Sequence, residues 1–421
     1  MTTTRSSRHP HGRRLLTAAA ATAVLLVTLP VLPAAADDST QCAFGPDSKV
    51  YAGRPWALQR VLMDELWEQS TGKGVRVAVI DTGVDIKNPQ LTKAVDAKSG
   101  KNLLDKNIKD ENGNKIERGK ENGTTDVVGH GTKVAGIIAA REMKGTGFTG
   151  LAPDATIIPI QQNDAEGHGT AETLASAIHY AVNEAHANVI NISQDTANAV
   201  KPAAVLQQEI NAALAKNIVV VASAGNDGLG GNVKKTYPAS FEGVLAVASS
   251  DRNNERAAFS QSGDFVGVAA PGVDMVSTVP GGGHCSDNGT SFSAPYVSGV
   301  AALIKAKHKD WTQKQIVAQI EQTAERSIAG HDPLVGWGVV DPVRALTEDD
   351  KPIEEPVARE GVSKGKAPVP AALHLGETAD ERNARLATYV VVGGGVLVAA
   401  IAGTAVAVRD RQRRLGRPGG G

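Results

Sequence analysis

The chain has 421 residues, room for two to three domains at about 150 residues each, and its 44 basic residues nearly balance 45 acidic ones for a net charge of −1. The balance itself says little; no basic field suggests nucleic acid, and the arginines concentrate at the two ends. The 2 cysteines and 10 histidines show no metal-ligand spacing, so neither a metal nor a cofactor is expected.

In chain order, Arg5, Arg8, Arg13 and Arg14, with His9 and His11, precede an apolar run over 15–32 and then Pro33, Ala34, Ala35 and Ala36. Basic, apolar, small is the order of a secretory signal. Residues 1–36 are expected to be cut off after Ala36, an uncleaved anchor being the alternative. Residues 37–55 read as an irregular arm. Over 56–69, Leu58, Leu62 and Leu66 stand at four-residue spacing beside Val61 and Trp67, which predicts one amphipathic helix ended by Gly72 and Gly74. A short apolar strand follows over 75–80. Residues 98–125 are dense in Lys, Asp, Glu, Asn and Gly and predict a surface loop, solvated or used to dock a partner.

Further strands are expected at 156–160, 189–192, 218–222 and 244–248. They alternate with helices at 132–141, 172–185, 202–215, 295–307 and 313–323. Apolar strands separated by helices predict an α/β domain over 56–348, with a mainly parallel sheet covered on both faces. Residues 349–387, rich in Pro, Ala and charge, read as a linker. Residues 388–408 are apolar and uncharged, and about 20 such residues cross a hydrocarbon core of ~30 Å as a helix. Gly393, Gly394 and Gly395 favour a bilayer span over the alternative, a buried helix of a globular domain. Arg409, Arg411, Arg413, Arg414 and Arg417 mark 409–421 as a cytoplasmic tail. The expectation is a single-pass protein of the cell membrane, with residues from about 37 to 385 outside. There Cys42 and Cys285 can pair; two free thiols are the alternative.

Three motifs carry chemistry. Residues 77–85 end a strand at Asp81, residues 129–136 start a helix at His130, and residues 289–295 start another at Ser291. A serine hydroxyl needs a base to take its proton. Imidazole, with an ordinary pKa near 6.5, supplies one, and a carboxylate on its far nitrogen fixes the tautomer. Asn226 ends a strand, where its amide can donate to an oxyanion together with the Ser291 N–H. Gly145, Gly147 and Gly150 fit a dinucleotide fingerprint by letter, but they follow a helix and precede a strand, and so read as a turn. Asp85 reads as a turn residue rather than half of a metal pair with Asp81. His168, His179, His186, His284, His308 and His331 have surface or packing roles, with His284 beside Cys285 the one candidate for the cleft.

The chain order Asp81, His130, Ser291, with Ala224, Gly225 and Asn226 between, resembles the subtilases. More narrowly it is similar to the mycosins, the membrane-anchored subtilases of type VII (ESX) secretion systems in actinobacteria. The Pro55-Trp56 start of the first helix, the phrase over 289–299 with Phe292 and Tyr296, the Pro linker and the apolar C-terminal stretch carry that likeness. It implies a subtilisin-like three-layer domain, an endopeptidase acting on protein or peptide substrates, and a place in a type VII membrane complex. Two departures stand out. After Asn191-Ile192-Ser193 the family's usual Leu-Gly is Gln194-Asp195, which leaves Ser193, Gln194 and Gly225 as the candidate substrate-binding residues. Only about 40 residues separate the expected signal cut from the first strand, too few for a folding pro-domain. Three functions remain open on sequence: an active endopeptidase, a scaffold of a secretion machine, and a free digestive protease, which the C-terminal anchor disfavours.

Overall fold

In β1 (Arg76–Asp81) the two-residue alternation of a strand sends Val77 and Val79 to one face and Ala78 and Ile80 to the other, and all four are buried. A strand apolar on both faces belongs inside a sheet covered twice. β1 pairs in parallel with β3 (Thr156–Gln161) on one side and β4 (Val189–Ile192) on the other. With β2 (Lys101–Asn102), β5 (Val219–Ser223), β6 (Leu245–Ser250) and β7 (Val266–Pro271) they form a 7-stranded parallel sheet in the order β2-β3-β1-β4-β5-β6-β7. This computed structural model describes residues 48–107, 113, 115, 118–163, 169–194, 203–230, 235–359 and 379–415. The signal segment, most of the arm, Cys42, His168 and Asp195 lie outside the described residues.

On one face α2 (Met63–Gln69), α3 (His130–Ala139), α6 (Thr290–Lys307), α7 (Gln313–Thr323) and α8 (Pro342–Thr347) share a core with Val77, Val79, Val189, Val219 and Val247. On the other, α4 (Ala171–Asn183) and α5 (Ala204–Ala215) bury Leu174, Ile178 and Ile210 against Ile80, Ile190 and Val220. The result is the expected three-layer α/β domain. From β1 the chain builds β2 and β3 to one side, then crosses to build β4 to β7 on the other. Ligand crevices in such sheets open at that switch, beyond the carboxyl ends of the strands. The register pairs Asp81 with Gln161, Ile80 with Ile192, and Ile192 with Ala222, so Asp81, Ser193 and the turn after Ser223 follow along one edge.

The structure departs from expectation in four places. The helix expected over 56–69 is two helices, α1 (Trp56–Gln59) and α2. Leu62 is 55% exposed while Val61 and Met63 are buried, so the chain breaks after α1 to turn the inward residues onto the core. The segment over 98–125 is not merely a solvated loop. It supplies the edge strand β2, and Asn102 is buried because its amide donates to Arg118 O (2.7 Å) and Gln161 Oε1 (2.8 Å). Polar packing there replaces the apolar packing the composition lacks. The expected list also lacked β7, the antiparallel hairpin β8 (Met275–Thr278) and β9 (His284–Asp287), and α8. Finally, residues 349–358, expected as the start of the linker, run along α7. Asp349 takes His308 Nε2 (2.5 Å) and Lys307 Nζ (2.7 Å), Glu354 accepts from Gln315 Nε2 (2.8 Å), and Val357 N donates to Gln322 Oε1 (2.6 Å).

This first unit ends at Ala358. In the second, α9 (Ala379–Leu415) is one 37-residue helix. It contains the expected apolar stretch 388–408 and is long and apolar enough over Arg382–Gln412 to cross a membrane.

Candidate active site

β1 ends at Asp81, whose side chain is fully buried. α3 begins at His130, after Gly129 in the left-handed region (φ 85°). The two elements touch because Gly131 has no side chain: a Cβ there would lie 2.1 Å from Gly83 O. His130 Nδ1 donates to Asp81 Oδ1 at 2.8 Å, and Thr82 N donates to the same oxygen at 2.8 Å. This leaves Nε2 as the free basic nitrogen, the arrangement a general base needs. Burial works against charge on the imidazole, but the charge of Asp81 and its hydrogen bond outweigh burial and hold the His130 pKa above its ordinary value.

Asp126 fixes both partners and was not singled out from sequence. Its carboxylate accepts from Thr82 Oγ1 (2.9 Å), Val128 N (3.1 Å), Gly129 N (2.8 Å), Thr132 N (2.8 Å) and Thr132 Oγ1 (2.7 Å). It thereby satisfies amides at the head of α3 that have no helical acceptor while holding Thr82 beside Asp81. Burial pushes the Asp126 carboxyl up, against the downward pull of the bonds from Thr132 and Gly129. The sequence signal is an Asp shortly before His130, three residues ahead of the Gly129 N-cap, within reach of the first amides of the helix.

Ser291 sits in the first turn of α6, and Phe292, its neighbour, lies 5.4 Å from the His130 ring, centroid to centroid. Pro295 lies one turn further on. It has no N–H to give to the carbonyl four residues back, which is that of Ser291. Ser193 Oγ fills the gap by donating to Ser291 O at 2.8 Å. Ser193 Oγ in turn accepts from Asn191 Nδ2 (2.9 Å), and Asn191 Oδ1 accepts from Ser298 Oγ (2.9 Å). A buried polar chain between β4 and α6 thus sets the backbone of Ser291.

Asn226 lies beyond β5. Its Oδ1 accepts from Thr290 N (2.9 Å) and Thr290 Oγ1 (3.0 Å), which orients the amide and leaves the NH₂ end for a ligand. A Cβ added to Gly289 would lie 3.6 Å from Asn226 Nδ2 and 3.7 Å from Ser291 N, so both donors border one small space. The candidate substrate-binding residues lie on the same edge with their groups engaged. Ser193 is used as above. Gln194 Nε2 donates to Ile80 O (3.2 Å), and Gln194 Oε1 accepts from Gln162 Nε2. Gly225 (φ 108°) donates to Thr290 Oγ1 (3.2 Å) and accepts from Gln261 N (2.9 Å).

The remaining candidates settle away from the chemistry. Asp85 is a staple: Oδ1 accepts from Lys87 N (3.0 Å) and Oδ2 from Gly281 N (2.8 Å). His284 is buried, its Nε2 donating to Gln90 Oε1 (2.6 Å) and its Nδ1 accepting from Tyr51 N (3.1 Å); burial pulls its pKa down to about 4. His179 pairs with Glu209 at the surface, His308 stacks on Trp311, and His331 bonds Val266 O. Gly145, Gly147 and Gly150 form part of the connection from α3 to β3, as a turn reading requires. Cys285 is on β9.

The sequence matches the Subtilase family (peptidase S8) over residues 72–338. It is 35% identical over 287 residues to Subtilisin Savinase of Lederbergia lenta, covering 68% of this chain and 96% of that one. Among solved structures it is similar to the MycP3 protease from the type VII (ESX-3) secretion system, at 34% identity and TM-score 0.60, over 72% of this chain and 92% of that one. It is likewise similar to MycP1 from Mycobacterium smegmatis, at 32% identity and TM-score 0.61, over 76% and 92% of the two chains. The chain belongs to the subtilase family of serine proteases.

Proposed function

We propose that the chain is a membrane-anchored, extracytoplasmic endopeptidase in which Asp81, His130 and Ser291 form the catalytic triad. The observation that carries the reading is the 2.8 Å bond between buried Asp81 and His130 Nδ1, with α6 bringing Phe292 against the same ring. Ser291 Oγ attacks the peptide carbonyl, His130 Nε2 takes its proton, and Asp81 steadies the imidazolium. Asn226 Nδ2 and Ser291 N hold the oxyanion. His130 then gives the proton to the leaving amine, and water releases the acyl group by the same route. α9 anchors the domain, with the arginines from Arg409 onward, at its C-terminal end, on the cytoplasmic side.

The likeness to MycP3 and MycP1 extends the reading to a type VII secretion membrane complex. It also favours a second role, in which the protein mainly steadies that complex. Export of small type VII substrates by a deletion strain of the native host, complemented with wild type or Ser291→Ala, separates the two. Proteolysis as the main role predicts that folded, membrane-inserted Ser291→Ala fails to restore export; restoration makes the chain chiefly a scaffold.

A Cys42–Cys285 bridge would tie the arm to β9. The course of the arm supports it: Lys49 O accepts from His284 N (2.9 Å) and Ser48 Oγ donates to Gly282 O (2.5 Å). Masses of alkylated protein with and without prior reduction decide; equal thiol counts would remove the bridge.

A further inference from the structure

Lys133 is a cation in an otherwise apolar part of α3, with its side chain only 8% exposed. Its Nζ lies 2.5 Å from Asp287 Oδ2 on β9 and 5.4 Å from the centroid of the Phe292 ring. That ring stands 5.4 Å from His130, one helical turn before Lys133 on the same face of α3. The hairpin is fastened to α3 at this level. Ser277 Oγ donates to Lys133 O (2.6 Å) and Thr278 Oγ1 to Thr132 O (2.9 Å).

We propose that Lys133 and Asp287 are a positioning pair that sets the base strength of His130 and seats Phe292 against its ring. The inference rests on the reading of His130 as the base for Ser291. Among the described residues, the charged groups facing the imidazole are Asp81 from β1, Asp126 from the segment before α3, and Lys133 from α3 itself; α6 contributes Ser291 and Phe292. Asp287 reaches the site through Lys133. A nearby ammonium opposes protonation of the imidazole, as the lowering influence of Lys133 on the His130 pKa indicates; a carboxylate paired with that ammonium, as Asp287 is, would offset part of it. The lysine alone would weaken the base, and an apolar residue would leave Asp81 and Asp126 to hold the proton more tightly.

The test uses the full-length chain in detergent micelles and a fluorophosphonate probe, whose reaction needs no knowledge of the peptide preferred. Ser291 Oγ attacks phosphorus, the P–F bond breaks, fluoride leaves, and the serine proton passes to His130. The labelling rate is followed against pH. Lys133→Met is expected to move the acid limb to higher pH, and Asp287→Asn to lower pH. The double variant should return close to wild type, and Lys133→Arg should keep the wild-type limb. Limbs that stay in place, or that move in the same direction in both single variants, overturn the proposal. If Lys133→Met fails to fold, Asp287→Asn decides alone, since Asp287 is partly exposed and its direction of shift is specific. Labelling that survives Ser291→Ala sinks the triad reading instead of the pair.

Discussion

The hydroxyl of Ser193 donates to the carbonyl oxygen of Ser291 at 2.8 Å, the oxygen that Pro295 leaves without a helical partner. Proline early in α6 and serine just beyond β4 are therefore one device. Ser193→Ala orphans a partly buried carbonyl and loosens Asn191, with an expected cost of about 1 kcal/mol or more. Urea unfolding measures it, and fluorophosphonate labelling should slow by a larger factor than the folded fraction falls. A variant as stable and as reactive as wild type would remove Ser193 from the site.

Asn226 accepts from Thr290, and the proposed mechanism gives it a second, separable duty, donating to an oxyanion. Asn226→Asp keeps an acceptor for Thr290 and loses the amide donor. Single-turnover cleavage of an internally quenched peptide should slow about 100- to 1000-fold, with thermal stability nearly kept. A loss below tenfold would mean that the donor lies elsewhere.

The raised pKa of His130 has opposite consequences for activity and stability. As the proposed base, His130 has to be neutral, so activity is expected to decline as pH falls through a midpoint above the ordinary ~6.5. The stability gained from the Asp81 pair is fully present below the unfolded-state value and is lost as pH rises through the folded-state value. The difference in unfolding free energy between wild type and His130→Ala should thus be larger near about pH 5 than near about pH 9. A difference that grows towards alkaline pH would contradict the pairing.

His284 works the other way. Its pKa is pulled down by burial to about 4, so its contribution is present above the unfolded value of ~6.5 and is lost as pH falls through about 4. A proton on Nδ1 also removes the acceptor of Tyr51 N in the arm. Stability measured by urea should fall across this window, and His284→Gln should flatten the fall. The same slope in both proteins would exclude His284 as its source.

Most of the sheet, and the places of the three proposed triad residues at element ends, were legible because the signals are local. Ile80, Ile192 and Val220 lie in short apolar runs, and Asp81, His130 and Ser291 stand where such runs or helices begin or end. The span of α7 was read to the residue, since Thr312 and Gln315 form a capping box at its head. What escaped depends on distant partners. The break after α1 follows from Val61 and Met63, not Leu62, facing the core. β2 is held by amide bonds from Asn102 and gives no apolar pattern. Asp126 and Lys133 look like ordinary polar residues until α3 is seated against β1 and β9.

The central claim is that Ser291 is the nucleophile, activated by His130. Peptide mapping by mass spectrometry after fluorophosphonate treatment tests it most directly, on wild type, Ser291→Ala and His130→Ala shown to be equally folded. A single adduct on Ser291 in wild type, absent from Ser291→Ala and nearly absent from His130→Ala, is the predicted result. An adduct on another residue, or undiminished labelling of either variant, would contradict it.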